Sequence, residues 1–104
     1  MRDKKHLNFI RSLPCLICGV FGSEAAHLRK GTDGGIGLKP SDKFTTPLCH
    51  NCHAEQHRVG ELRFWQDIDK VKEFCNSIYK VTGNKKEGLK IVRYYQCIFS
   101  RIRK

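Results

Sequence analysis

The chain has 104 residues, six cysteines and five histidines, and its 20 Lys plus Arg against 10 Asp plus Glu give a formal net charge of +10. A chain of this length holds one small domain with a modest core, which a bound metal often reinforces. No stretch is long and apolar enough for a membrane span, and the opening MRDKKHLNFIRSLP lacks the apolar centre of a secretory leader. The expected setting is therefore the cytoplasm, where cysteines bind metal more often than they pair. Folding does not require the charge excess, which points to a polyanionic partner, most simply nucleic acid.

Residues 4–13 predict a short helix with Leu7, Ile10 and Leu13 on one face, stopped at Pro14. CLICG then opens a first C-x-x-C pair, Cys15 and Cys18. Residues 24–29, EAAHLR, read as a short strand, and the glycine-rich KGTDGGIGLKPSD over 30–42 reads as a loop. FTTPL leads, as strand or extended chain, into the second pair, Cys49 and Cys52. From Cys52 the pattern is helical, with a weak point or a break at Gly60. Over 61–80 the apolar positions Phe64, Ile68, Val71, Cys75 and Ile78 mark one helical face, ended by TGN at 82–84. Residues 86–103 place Ile91, Tyr95, Ile98 and Ile102 on one side of a further helix with a basic surface. Cys75 and Cys97, inside these apolar patterns, read as core residues.

The four paired cysteines are separated by 30 residues between the two C-x-x-C units. Each such turn brings both sulfurs to one ion, and two turns complete a tetrahedral four-thiolate site whose natural occupant is zinc. A closed site has no room for a substrate, so its role is structural. His50, His53 and His57 remain. In a helix starting near Cys52, His53 points away from the Cys52 sulfur, and His57 shares its face four positions on. Two histidines at that spacing can hold a second divalent ion, or they can be surface residues beside the zinc. His50 lies inside the cysteine turn and is expected to be exposed. His27, on the predicted strand before the loop, is the remaining histidine in the segment between the cysteine pairs.

The order C-x-x-C, then AH, then PLC-x-x-CH-x-x-x-H resembles the HNH branch of the His-Me finger (ββα-metal) endonucleases. AHLRKGTDGGIGLKPSDKFTTPLCHNCHAEQHRVGELRFW is similar to the phage and prophage Ref-like recombination-enhancement nucleases. The resemblance covers roughly residues 7–65 and is strongest over 26–65. It implies a small α+β fold forming a single domain. A ββα-metal core over 15–65, stapled by a structural Zn2+ on Cys15, Cys18, Cys49 and Cys52, would be flanked by an N-terminal helix and a C-terminal helical extension over 66–104. It further implies a metal-dependent DNA endonuclease, a hydrolase of phosphodiester bonds, of prophage origin, linked to DNA recombination and acting in a bacterial host cell. His27 would be the general base. A catalytic divalent cation, Mg2+ or Mn2+ with Zn2+ or Ni2+ as further candidates, would sit on His53 and His57, and the products would carry 5′-phosphate and 3′-hydroxyl ends.

Two positions depart from that pattern. Ala26 stands where many members carry an Asp or His ligand, and no Asn occurs between His27 and Cys49 to orient the catalytic ring. Thr45, Thr46 or a backbone carbonyl there is expected to accept the His27 Nδ1–H instead, and Asp33, Asp42 or Glu55 are candidates to lend the ion an oxygen. An imidazole with a pKa near ~6.5 is available as a neutral base at about pH 7. Arg29 would share a strand face with His27 and grip a neighbouring phosphate, while Lys30 and Lys39 would line a groove for the DNA backbone. Such contacts do not read sequence and are sensitive to salt. The charge and the four thiolates fit equally a non-catalytic zinc-stabilised DNA-binding module, and the two departures keep open a degenerate nuclease fold serving as a protein-interaction scaffold. His27, His53 and His57 distinguish the enzyme from both.

Overall fold

The computed structural model describes residues 2–29 and 41–103. Helix α1 (Lys4–Arg11) starts where Asp3 accepts the His6 N–H at 3.0 Å, satisfying one of the free donors of the first turn. Its inner face is His6, Phe9 and Ile10, continued by Leu13, all buried. Leu7, expected on that face, is half-buried at its margin. Strands β1 (Glu24–His27) and β2 (Thr45–Leu48) pair antiparallel, with Glu24 opposite Leu48 and His27 opposite Thr45. The first strand is two residues shorter than the 24–29 expected: Leu28 still donates to the Phe44 carbonyl at 2.8 Å, but the Arg29 N–H turns away to the Glu61 carboxylate. Every residue of β2 is buried, which lets the hairpin serve as the floor of the core.

Helix α2 (His50–Val59) follows β2 directly, with Cys49 as its N-cap residue. It starts two residues before the expected Cys52, inside the second cysteine pair. Gly60, at φ +87°, ends it in a conformation that a side chain disfavours, and the chain restarts as α3 (Glu61–Trp65). The expected weak point is thus a full break. Helix α4 (Ile68–Tyr79) is capped by Asp67 and α5 (Lys85–Ile102) by Asn84. No helix among the described residues is long and apolar enough to cross a membrane.

The core lies between the hairpin, α1, α3, α4 and α5. Trp65 packs against Phe99 with ring centroids 5.0 Å apart, and Phe74 meets Tyr95 edge-on at 5.5 Å. The Trp65 indole donates to the Gln56 amide oxygen at 2.8 Å, which joins α3 to α2 without leaving a buried donor unpaired. Cys75 is buried in this core as expected, but Cys97 is not: it lies exposed on the outer side of α5. The inner side of that helix is centred on Val92, Tyr95 and Phe99, and Ile91, Ile98 and Ile102 sit half-buried beside them. At about 100° per residue Cys97 lies at least ~100° round the helix from Ile91, Ile98 and Ile102 as well as from the buried arc, which places it outside.

Candidate metal centres

The Sγ atoms of Cys15, Cys18, Cys49 and Cys52 all lie within 4.8 Å of one another, and Cys18 and Cys49 approach to 3.5 Å. Tetrahedral zinc with bonds of about 2.3 Å sets its sulfurs about 3.8 Å apart, so the donor set fits that ion. The first knuckle is fixed by local bonds: Cys15 N–H to the Val20 carbonyl at 2.8 Å and Gly19 N–H to the Cys15 carbonyl at 2.9 Å. Leu16 N–H ties it to the Pro47 carbonyl of β2, and the Gln96 side chain of α5 donates to the Cys15 carbonyl, both at 2.8 Å. Burial pushes the Cys15 thiol up, but the N–H groups of Cys18, Cys49 and Ile17 outweigh it and bring its pKa down to about 7. Burial and the adjoining Cys49 and Cys15 sulfurs push Cys52 up. Four such groups become thiolates together only around a cation.

The second cluster is built on the exposed side of α2. His53 Nδ1 lies 2.7 Å from one Glu24 carboxylate oxygen, and His50 Nδ1 lies 3.1 Å from the other. These bonds hold the Glu24 carboxyl below its ordinary range, His53 contributing most. With Nδ1 turned to Glu24, the acceptor nitrogen of His53 is Nε2, which faces His57, as in carboxylate–histidine–metal arrangements. His57 Nε2 faces His53 Nε2 at 3.2 Å. Two nitrogens bound at about 2.05 Å to one ion at 90–110° stand about 2.9–3.4 Å apart, so the pair also fits a shared metal. Among the described residues no third His, Cys, Asp or Glu atom completes it into a cluster. It is an open, two-point site. Glu55 is engaged with Arg58 at 3.0 and 2.7 Å, and Asp33 lies outside the described residues.

His27 ends β1. Its Nε2 lies 2.8 Å from Asp42 Oδ1, and Asp42 also takes the Arg2 guanidinium at 2.9 Å and the Asp3 N–H at 2.7 Å. Burial raises the Asp42 carboxyl, but His27, the Asp3 N–H and Arg2 together hold it at about 2. The threonines expected to orient His27 do other work: Thr45 Oγ1 donates to the Asp42 carbonyl and Thr46 Oγ1 to the Ala26 carbonyl. Among the described residues the ring is fixed through Nε2 rather than Nδ1. On a pleated strand His27 projects to the side opposite Glu24 and Ala26. Glu24 ties β1 to His53 of α2, and the Arg29 N–H, just past β1, is tied to both Glu61 oxygens of α3, at 3.1 and 2.9 Å. Arg29 lies past the end of β1 with an exposed side chain. Lys30 and Lys39 lie outside the described residues.

Glu24 is the residue of this site that sequence reasoning did not name, and Asp42, expected as an oxygen donor to the ion, lies on His27 instead. A glutamate opening a strand of weak propensity was one signal. Nothing local to Asp42 tied it to a ring 15 positions earlier.

Among the described residues, a two-stranded sheet with five helices and four clustered cysteines able to hold a metal ion define a small α+β protein with a candidate metal site. The chain belongs to the family described as "Protein of unknown function (DUF968)", whose model matches residues 1–74. It is also 35% identical over 54 residues to the "Uncharacterized protein YdfU" of Escherichia coli (strain K12), a match covering 52% of this chain and 16% of that protein. The chain thus spans about a sixth of that relative's length. No solved structure matches the chain.

Proposed function

We propose that this protein is a metal-dependent endonuclease that hydrolyses DNA phosphodiester bonds with little sequence preference, built on a ββα-metal core of the His-Me finger kind. One observation carries the reading: the Nε2 atoms of His53 and His57 face each other at 3.2 Å, with His53 steered by Glu24, in a site separate from the four cysteines. A zinc module needs no such pair. A divalent ion held there would neutralise the scissile phosphate and lower the cost of the departing oxygen. His27, with Nε2 on Asp42, takes a proton from the attacking water through Nδ1 and becomes an imidazolium beside a carboxylate. The water oxygen bonds to phosphorus, the P–O3′ bond breaks, and the 3′-oxygen takes a proton from solvent. The ends are a 5′-phosphate and a 3′-hydroxyl. Arg29, exposed just past the strand, would hold a neighbouring phosphate.

A second reading, a non-catalytic zinc-stabilised DNA-binding module, is favoured by the direction of His27: its ring leaves the opposite side of β1 from Glu24 and is tied to Asp42. Nicking of supercoiled plasmid in Mg2+, Mn2+, Zn2+ or Ni2+ separates the two. His27→Ala is expected to lose on the order of 10²–10⁴ in rate while the chain stays folded, its thermal midpoint lowered by several degrees as Asp42 loses one partner. Equal nicking by both proteins removes His27 from the mechanism, and no nicking by the wild type in any of the four metals leaves the binding module.

A further inference from the structure

Helix α5 lies outside the family-matched residues 1–74, and its outer face has a composition that packing does not account for. At about 100° per residue, Lys86, Lys90, Arg93, Cys97 and Arg101 fall within an arc of roughly 80°. The buried Val92, Tyr95 and Phe99 lie on the far side of the helix. The arc runs about 22 Å along the axis at 1.5 Å per residue. All five side chains are exposed, four are cations and none is an acid. Glu87, at the flank, pairs with Lys90 at 3.1 Å. Lys86, Arg93 and Arg101 carry no partner among the described residues. A solvated helix is usually laced with both signs of charge; here the stripe is of one sign, and its self-repulsion is relieved by a polyanion.

We infer that the outer face of α5 is a docking surface for the phosphate backbone of duplex DNA, contacting it through Lys86, Lys90, Arg93 and Arg101 without reading bases. A rigid row of cations of this length matches a run of regularly spaced phosphates, and each neutralised phosphate releases a counterion. The choice of nucleic acid shares its charge argument with the nuclease reading, but docking does not depend on cleavage. The surface would hold the substrate while the hairpin and α2 act on it.

The test compares the wild type with K86Q/K90Q/R93Q/R101Q for binding to a 30-base-pair duplex of arbitrary sequence, without added divalent metal, over a range of salt. The variant is expected to bind at least tenfold more weakly at low salt. Its log–log salt slope should fall by about 3–4, close to ~0.9 per lost contact. A control, K4Q/K5Q/R11Q/K80Q, removes the same charge from other exposed positions and should change the slope by less than about 1. Equal losses in both variants would reduce the effect to net charge and overturn the assignment, as would an unchanged slope in the first. Loss of binding to phosphatidylserine vesicles with DNA binding intact would assign the face to a membrane surface and also overturn it. If the quadruple variant melts early, K86Q/R93Q reads the same slope, with about half the change expected. Because no metal is added, a protein that binds here and never cleaves would still support docking while refuting the nuclease.

Discussion

Asp42 is where the histidine ring, the N-terminal segment and the entry to β2 converge. Its carboxylate serves His27, Arg2 and the Asp3 N–H, and its carbonyl accepts from Thr45. Its side chain is only 3% exposed, so these partners are screened little by solvent. A carboxyl held at about 2, against 3.8 ordinarily, stabilises the fold above its unfolded pKa and loses that contribution as pH falls through the folded value. The shift corresponds to roughly 2 kcal/mol. His6 adds an earlier step. Burial lowers its pKa, against the opposing pull of Asp3 and Asp42, so the unfolded chain takes the proton first and stability declines as pH drops below about 6.5. Thermal midpoints measured from pH 7 to pH 2 are expected to fall in two stages. Asp42→Asn should lower the whole curve and erase the stage between about pH 4 and pH 2 while leaving the upper one. Survival of the lower stage would place the acid-sensitive carboxylate elsewhere.

At the scale of elements, α5 is held to α1 by the absence of a side chain. A Cβ at Gly88 would stand 2.8 Å from the Phe9 ring and 3.1 Å from Leu13, both buried. Glycine normally weakens a helix interior, and here it permits the close approach. Gly88→Ala should therefore destabilise by roughly 1–3 kcal/mol despite its better helix propensity, lowering the thermal midpoint by several degrees. A higher midpoint would mean that α1 and α5 separate without cost. Most elements were legible from apolar spacing, capping residues and the breaks at Pro14, Gly60 and 82–84, but 61–80, read as one helical face, is split into α3 and α4 by Gln66 at φ +69° and the Asp67 cap. Which face each buries was less legible. His6 is buried through a 2.7 Å bond to Thr82, 76 positions away, and no local pattern announces that. On α5 the isoleucines outweigh Val92 and Phe99 in hydropathy, but Trp65 against Phe99 and Phe74 against Tyr95 select the arc that packs. The same limit applied to the site. Spacing alone located the four cysteines and paired His53 with His57, whereas the partners of Glu24 and Asp42 are set by tertiary contacts.

Across the whole molecule, the four cysteines join the segment around residue 15 to the start of α2. The hairpin, both histidine clusters and the contact of α5 with the first knuckle all depend on that junction. Zinc binding is then part of the folding free energy, and Cys49→Ser should yield an aggregated or unfolded chain. A soluble zinc-free variant with the wild-type melt would remove the metal from the fold.

The outward turn of Cys97 makes that dependence countable. Of six cysteines, four form the candidate metal site, Cys75 is sealed in the core and Cys97 faces water. A thiol reagent should therefore titrate one sulfur per chain while zinc is bound and six once a chelator has stripped it and the chain has opened. An intermediate plateau at five would mean that the core around Cys75 outlives its metal. The same solitary sulfur lies within the cationic stripe of α5. A fluorophore attached there needs no engineered cysteine and would register in its emission the arrival of any polyanion.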